Sequence, residues 1–196
     1  MERPRRAVAM SGGGAKGSFQ VGALEWLILE KGLDFDIFSG VSVGALNASF
    51  LAQAKAVEGD AKKSLENLQE MFKALRDVWL KRIEGNSSIY EKRTGGLAGV
   101  LAGADSIHDS QPLRDLLGEL LNPKALENSG RDLRIQYVSL ETGVIHAVDQ
   151  NDPNIIDHVL ASSSMPFLFP PVEERDRKST RLNSSHSRAS RMPSSA

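Results

Sequence analysis

The chain has 196 residues, 40% of them hydrophobic and 25% charged, with a formal net charge of −1 and no cysteine. That length and apolar content suit one globular domain with a sizeable core and exclude a disordered or fibrous chain, while the lack of cysteine excludes a disulfide framework, a thiolate metal site and a cysteine nucleophile. Residues 1–175 carry 24 acids against 19 bases, and only the last 21 residues are basic, so no basic patch points to nucleic acid as a partner.

At the start, Arg3, Arg5 and Arg6 imitate the basic region of a signal peptide, but only Ala7 to Met10 follow before a Ser-Gly run, too short for its apolar region. No later stretch approaches the apolar length of a membrane span. The expectation is a soluble, cytoplasmic protein. Arg6 to Met10 (RAVAM) reads as a strand, SGGGAKGSF as a loop, and Val21, Leu24, Leu27 and Ile28 recur with helical period. Gly12 to Gly17, GGGAKG, fits GxGxxG, a pattern whose glycines can turn successive backbone N–H groups toward one anion. A P-loop is excluded because Lys16 precedes Gly17 and the GK[ST] ending is absent. A dinucleotide fingerprint would use Asp34 or Asp36 on a ribose, but both open the second strand instead of closing it, at the far edge of the sheet from the glycines. The third reading makes the loop an oxyanion hole.

Phe35 to Leu51, FDIFSGVSVGALNASFL, supplies what such a hole would serve. Phe35, Ile37 and Phe38 read as a buried strand that breaks at Ser39-Gly40 into the helical spacing of Ala45, Leu46, Ala48 and Leu51. Strand, tight turn and helix around GVSVG is the setting of a nucleophile elbow, with Ser42 projecting from the turn and Gly40 and Gly44 leaving room where strand and helix nearly touch. Parallel α/β units deliver both strand ends to one edge, so the loop after strand one and the elbow after strand two are expected to be neighbours.

Ala56 to Ile83 reads as a long helix with Leu65, Leu68, Phe72, Leu75 and Trp79 on one stripe, packed on the domain. Gly95 to Gly103, GGLAGVLAG, is assigned no function. Ser110 caps a helix that turns Leu113, Leu116, Leu117 and Leu120 inward. Arg134 to Ser139 and Val144 to Val148 read as strands joined at Glu141-Thr142-Gly143, and Asp152 to Ser162 as a capped helix. Pro166, Pro170 and Pro171 then hold a crossing loop in which Phe167, Leu168 and Phe169 pack or line a site. A Ser-acid-His triad would draw on His146 or His158. The α/β-hydrolase order does not fit with a single strand ahead of the elbow strand, and a histidine beside an acid on a helix reads as solvated, so neither is assigned a role.

SGGGAKGSFQVGAL, GVSVGALNA and ASSSMPFLFPPVE, in this order and at these separations, resemble the patatin-like phospholipases, from about Arg6 to Glu173. The resemblance implies a three-layer α/β/α fold with a mostly parallel central sheet, and a Ser-Asp dyad that hydrolyses fatty acyl esters of lipids without metal or cofactor. Carried over, Ser42 matches the nucleophile, Gly12, Gly13 and Gly14 the oxyanion loop, and Lys16 its usual basic position. The implied partner is a lipid or fatty acyl ester, met through transient contact with a membrane surface. The family's aspartate stands in Asp-Gly-Gly or Asp-Gly-Ala, and neither occurs here; Asp176 lies near the place but is followed by Arg177 and Lys178. Asp176 to His186 and Ser190 to Ala196 read as the translation of a sequencing-library adapter. The expectation is therefore a domain over 1–175, cut before its aspartate and incomplete in its sheet, followed by a non-native, disordered tail over 176–196. Such a chain is expected to be inactive or nearly so. The rival expectations are a nucleotide-binding protein that holds phosphates on GGGAKG, and a lipid-binding relative without catalysis.

Overall fold

In a computed structural model the residues described are 4–83, 91–92, 108–164, 172–173 and 181–183. Strand β1 (Ala7–Met10) leads through a 3₁₀ turn (Gly14–Lys16) into α1 (Gly17–Glu25), which ends in a π-helical turn over Trp26–Glu30. Strand β2 (Ile37–Gly40) passes through Val41 and Ser42 into α2 (Val43–Ala52), which carries nine buried residues and is the central helix of the molecule. Helix α3 (Ala61–Lys81) follows, then a two-residue pairing of β3 (Glu91–Lys92) with β4 (His108–Asp109). After α4 (Gln111–Leu120) and α5 (Pro123–Glu127) come β5 (Asp132–Ser139), β6 (Ile145–Val148), α6 (Ile155–Ser163), β7 (Val172–Glu173) and β8 (Arg181–Asn183).

The sheet runs β1-β2-β5-β8-β7, with β6 pairing β5. Strands β1, β2 and β5 are parallel, with Val8, Phe38 and Leu133 in register and Met10, Gly40 and Ile135 two residues on. Alternation then puts these six residues on one face, and it is this face that the core helices cover, since Met10, Phe38, Leu133, Ile135 and Tyr137 are buried. On the other face Ala7, Ala9, Arg134 and Gln136 are exposed, and the architecture is the expected mixed α/β fold with a mostly parallel sheet.

Ile135 pairs with both Gly40 and Val148, and Val138 with both Ile145 and Asn183. Since a strand residue has one partner on each edge, β8 lies on the β2 side of β5, past the end of β2. The backbone of Arg181–Asn183 pairs with β5 and β7.

At the opposite edge of the sheet, Arg131 is buried and ties four segments together. Its guanidinium donates to Asp34 Oδ1 (2.8 Å), to the carbonyl of Ala54 (2.6 Å), to that of Ser64 (3.0 Å) and to that of Phe35. The helix expected over 56–83 starts later because Asp60 caps it, accepting from the Lys63 amide at 2.9 Å. Asp152 and Asn154 similarly delay α6: Asp152 Oδ1 accepts from the Asn154 amide at 2.8 Å, and the helix begins at Ile155. The glycine-rich run 95–103 and the proline segment 166–171 lie outside the described residues.

Candidate active site

Ser42 is the only non-glycine residue with positive φ among those described, at φ 56, ψ −127. That is close to the mirror image of ordinary extended backbone, a conformation that costs an L-residue about 1–3 kcal/mol and persists only where the surroundings enforce it. They do so from both sides. A Cβ added at Gly40 would stand 2.2 Å from the Gly44 carbonyl oxygen, and one at Gly44 would stand 2.2 Å from the Met10 carbonyl oxygen and 2.8 Å from that of Ser11. Strand end, helix start and the end of β1 are thus packed backbone on backbone. The Val41 amide donates to the Met10 carbonyl at 3.2 Å, which closes the corner.

Helix α6 clamps the elbow from a place in the chain 120 residues away. The Ser42 amide donates to Ser162 Oγ at 2.9 Å, and that hydroxyl donates onward to the Gln136 carbonyl in β5 at 2.7 Å. Ser163 Oγ lies 3.4 Å from the Ser42 carbonyl and 3.0 Å from that of Val159. Having one proton, it gives the stronger bond to Val159. Ser42 itself is half-buried. It precedes the first turn of α2, where backbone N–H groups and the helix dipole favour negative charge.

The glycine loop begins where β1 meets that turn. Gly12 is half-buried and Gly13 and Gly14 are exposed, with Gly14 in the left-handed region at φ +54. Gly17 closes the loop under the elbow: a Cβ there would meet Val43 Cγ2 at 2.3 Å and the Trp79 ring at 2.7 Å. Both ends of the loop, Ser11 and Gly17, therefore touch the two residues that follow Ser42. The Lys16 amide donates to the Gly13 carbonyl at 3.1 Å, and Gln20 Nε2 donates to the Ser11 carbonyl at 2.6 Å. Lys16 is exposed at the loop's tip.

A family model for patatin-like phospholipases matches residues 8–180. The chain belongs to that family. A crystal structure of VipD from Legionella pneumophila is similar over 93% of this chain and 46% of its own, at 16% identity and a TM-score of 0.48. This patatin-like chain thus spans less than half of that one. No curated protein sequence matches it.

The patatin-like elbow draws on residues that the sequence analysis did not single out. Ser162, Gln20 and Asn47 sit inside the motifs that carry the resemblance, but their bonds depend on which distant carbonyl each meets. His158 is a correction. It is 3% exposed, with Nδ1 3.1 Å from Asp152 Oδ1, and its ring stacks on Tyr137 at 4.7 Å, while His146 stacks on the same ring at 5.4 Å. It is a packed core group because the Tyr137 ring takes one of its faces. Asp157, its neighbour in sequence, pairs with Arg114 instead. Among the described residues no group of three or more His, Asp or Glu side chains converges as a metal site, and no helix is long and apolar enough to cross a membrane.

Proposed function

We propose that this chain carries the nucleophile and the oxyanion loop of a serine-dependent lipid acyl hydrolase. The observation that supports it most is the strained Ser42 held at the carboxyl end of β2 against the first residues of the glycine loop. In this reading Ser42 Oγ attacks the carbonyl carbon of a fatty acyl ester, and amides of Gly12, Gly13 and Gly14 receive the negative charge that develops on the carbonyl oxygen. An aspartate takes the serine proton and returns it to the departing alcohol, and water then cleaves the acyl-serine by the same route. No Asp-Gly-Gly or Asp-Gly-Ala occurs in the sequence. Among the described residues no carboxylate hydrogen-bonds the Ser42 hydroxyl. The chain by itself is therefore proposed to turn over lipid esters very slowly, because base and nucleophile act as a unit.

Contact with a lipid surface fits the distribution of apolar groups. Phe19, Leu80, Leu140, Val144 and Ile145 are exposed, as is Trp26 further along the same helical segment as Phe19. Phe19 is in the first turn of α1, Leu80 follows the Trp79 that touches Gly17, and Leu140, Val144 and Ile145 span the turn after β5 and the first residue of β6, so these five lie toward the edge of the sheet where Ser42 sits. The nucleotide reading is disfavoured by its acids: Asp34 is buried on Arg131, and Asp36 Oδ2 accepts from the Arg6 amide at 2.7 Å.

The test is an alkyl fluorophosphonate followed by intact mass and peptide mapping. A slow, single adduct on Ser42, absent in Ser42→Ala and unaffected by NAD or ATP, is the expected result. An adduct elsewhere, or protection by a nucleotide, contradicts the hydrolase reading. Rapid ester turnover by this chain that is abolished in Ser42→Ala would overturn the proposed need for an aspartate in an Asp-Gly-Gly or Asp-Gly-Ala setting.

A further inference from the structure

We infer that Gln20 is a positioning residue that sets the direction of the Gly12 amide, and that Asn47 and Trp79 orient Gln20 for this task; the inference rests on the proposed oxyanion role of the glycine loop. Trp79 Nε1 donates to Asn47 Oδ1 at 2.9 Å, Asn47 Nδ2 to Gln20 Oε1 at 2.9 Å, and Gln20 Nε2 to the Ser11 carbonyl at 2.6 Å. The chain of bonds has one polarity. An indole N–H can only donate and a carbonyl can only accept, so neither amide can flip without breaking two bonds. Asn47 is 1% exposed, which removes water as a substitute partner for its amide.

In a trans peptide the carbonyl of one residue and the N–H of the next point in opposite directions, and no cis peptide occurs among the described residues. Holding the Ser11 carbonyl on the α1 side thus fixes where the Gly12 N–H points. The Lys16 amide on the Gly13 carbonyl does the same for the Gly14 N–H. Glycines have little barrier to peptide reorientation, so without these two bonds the loop amides would sample several directions.

The experiment uses the full chain, labelled with ¹³C and ¹⁵N, and octanoate as the probe anion. Gln20→Glu keeps the acceptor for Asn47 and loses the donor to Ser11, while Gln20→Met loses both without adding charge. Each variant is expected to move the Ser11 carbonyl and Gly12 amide resonances and to weaken octanoate binding at Gly12–Gly14 by about tenfold, the scale of one lost hydrogen bond. Gln69→Glu, which removes a similar donor from the Ile28 carbonyl (3.1 Å), is expected to change neither. Unmoved Ser11 and Gly12 resonances in both Gln20 variants overturn the inference, and so does unweakened octanoate binding alongside moved resonances. Resonances that respond to Gln20 in a wild-type chain whose glycine amides ignore octanoate would uphold the positioning and sink the hydrolase reading.

Discussion

At the scale of single residues, the backbone of Ser42 is held where it costs energy. Ser42→Ala retains that cost, because alanine also has a Cβ, whereas glycine adopts φ 56, ψ −127 freely. Ser42→Gly is therefore expected to be more stable than Ser42→Ala by about 1–2 kcal/mol in urea unfolding, against the usual order in which glycine is the weaker residue. Equal or lower stability of the glycine variant would mean that the elbow is unstrained. The GVSVG pattern made this turn legible because strand, glycine, serine and helix are contiguous. Ser162 was not legible in the same way, since its bond to the Ser42 amide depends on a register set by β5 and α6, 120 residues later.

At the scale of elements, the same contrast separates what was readable from what was not. The apolar stripe predicts helix α3, and Leu68, Phe72 and Leu75 are buried on it, but the helix starts at Ala61 because Asp60 caps it. His158 reads as solvated from its position beside Asp157 and is buried, because aromatic stacking on Tyr137 decides its environment. Arg131 gave no sequence signal at all. Its guanidinium donates to Asp34 and to carbonyls just before β2, just after α2 and at the start of α3, so its removal takes a charged donor from a buried carboxylate and from three buried carbonyls at once. Arg131→Met is expected to cost about 3–5 kcal/mol in chemical denaturation. Arg5→Met, which breaks the exposed pair with Asp132, is expected to cost less than about 1 kcal/mol. Similar losses from both would contradict the structural role assigned to Arg131.

Across the whole molecule, two parallel crossovers deliver the glycine loop and the elbow to one edge of the sheet, and the exposed large apolar side chains among the described residues, Trp26 excepted, lie toward the same edge. Phe19 is 79% exposed there, so its ring is available to a lipid surface. Phe19→Asp together with Ile145→Asp is expected to lower sedimentation with phosphatidylcholine vesicles by about tenfold or more, the scale of one large side chain returned to water. Trp26→Asp, at the far end of the same helical segment, should have much less effect. Equal losses from both would remove the edge as the contact surface.

The central claim is that main-chain donors of one crossover face the alcohol of the next. A crystal structure of the Ser42 phosphonate adduct tests it most directly. The account predicts the phosphoryl oxygen about 2.7–3.1 Å from two or more amide nitrogens of Gly12–Gly14. An adduct whose oxygen lies against solvent or another part of the chain, beyond reach of those amides, would contradict it.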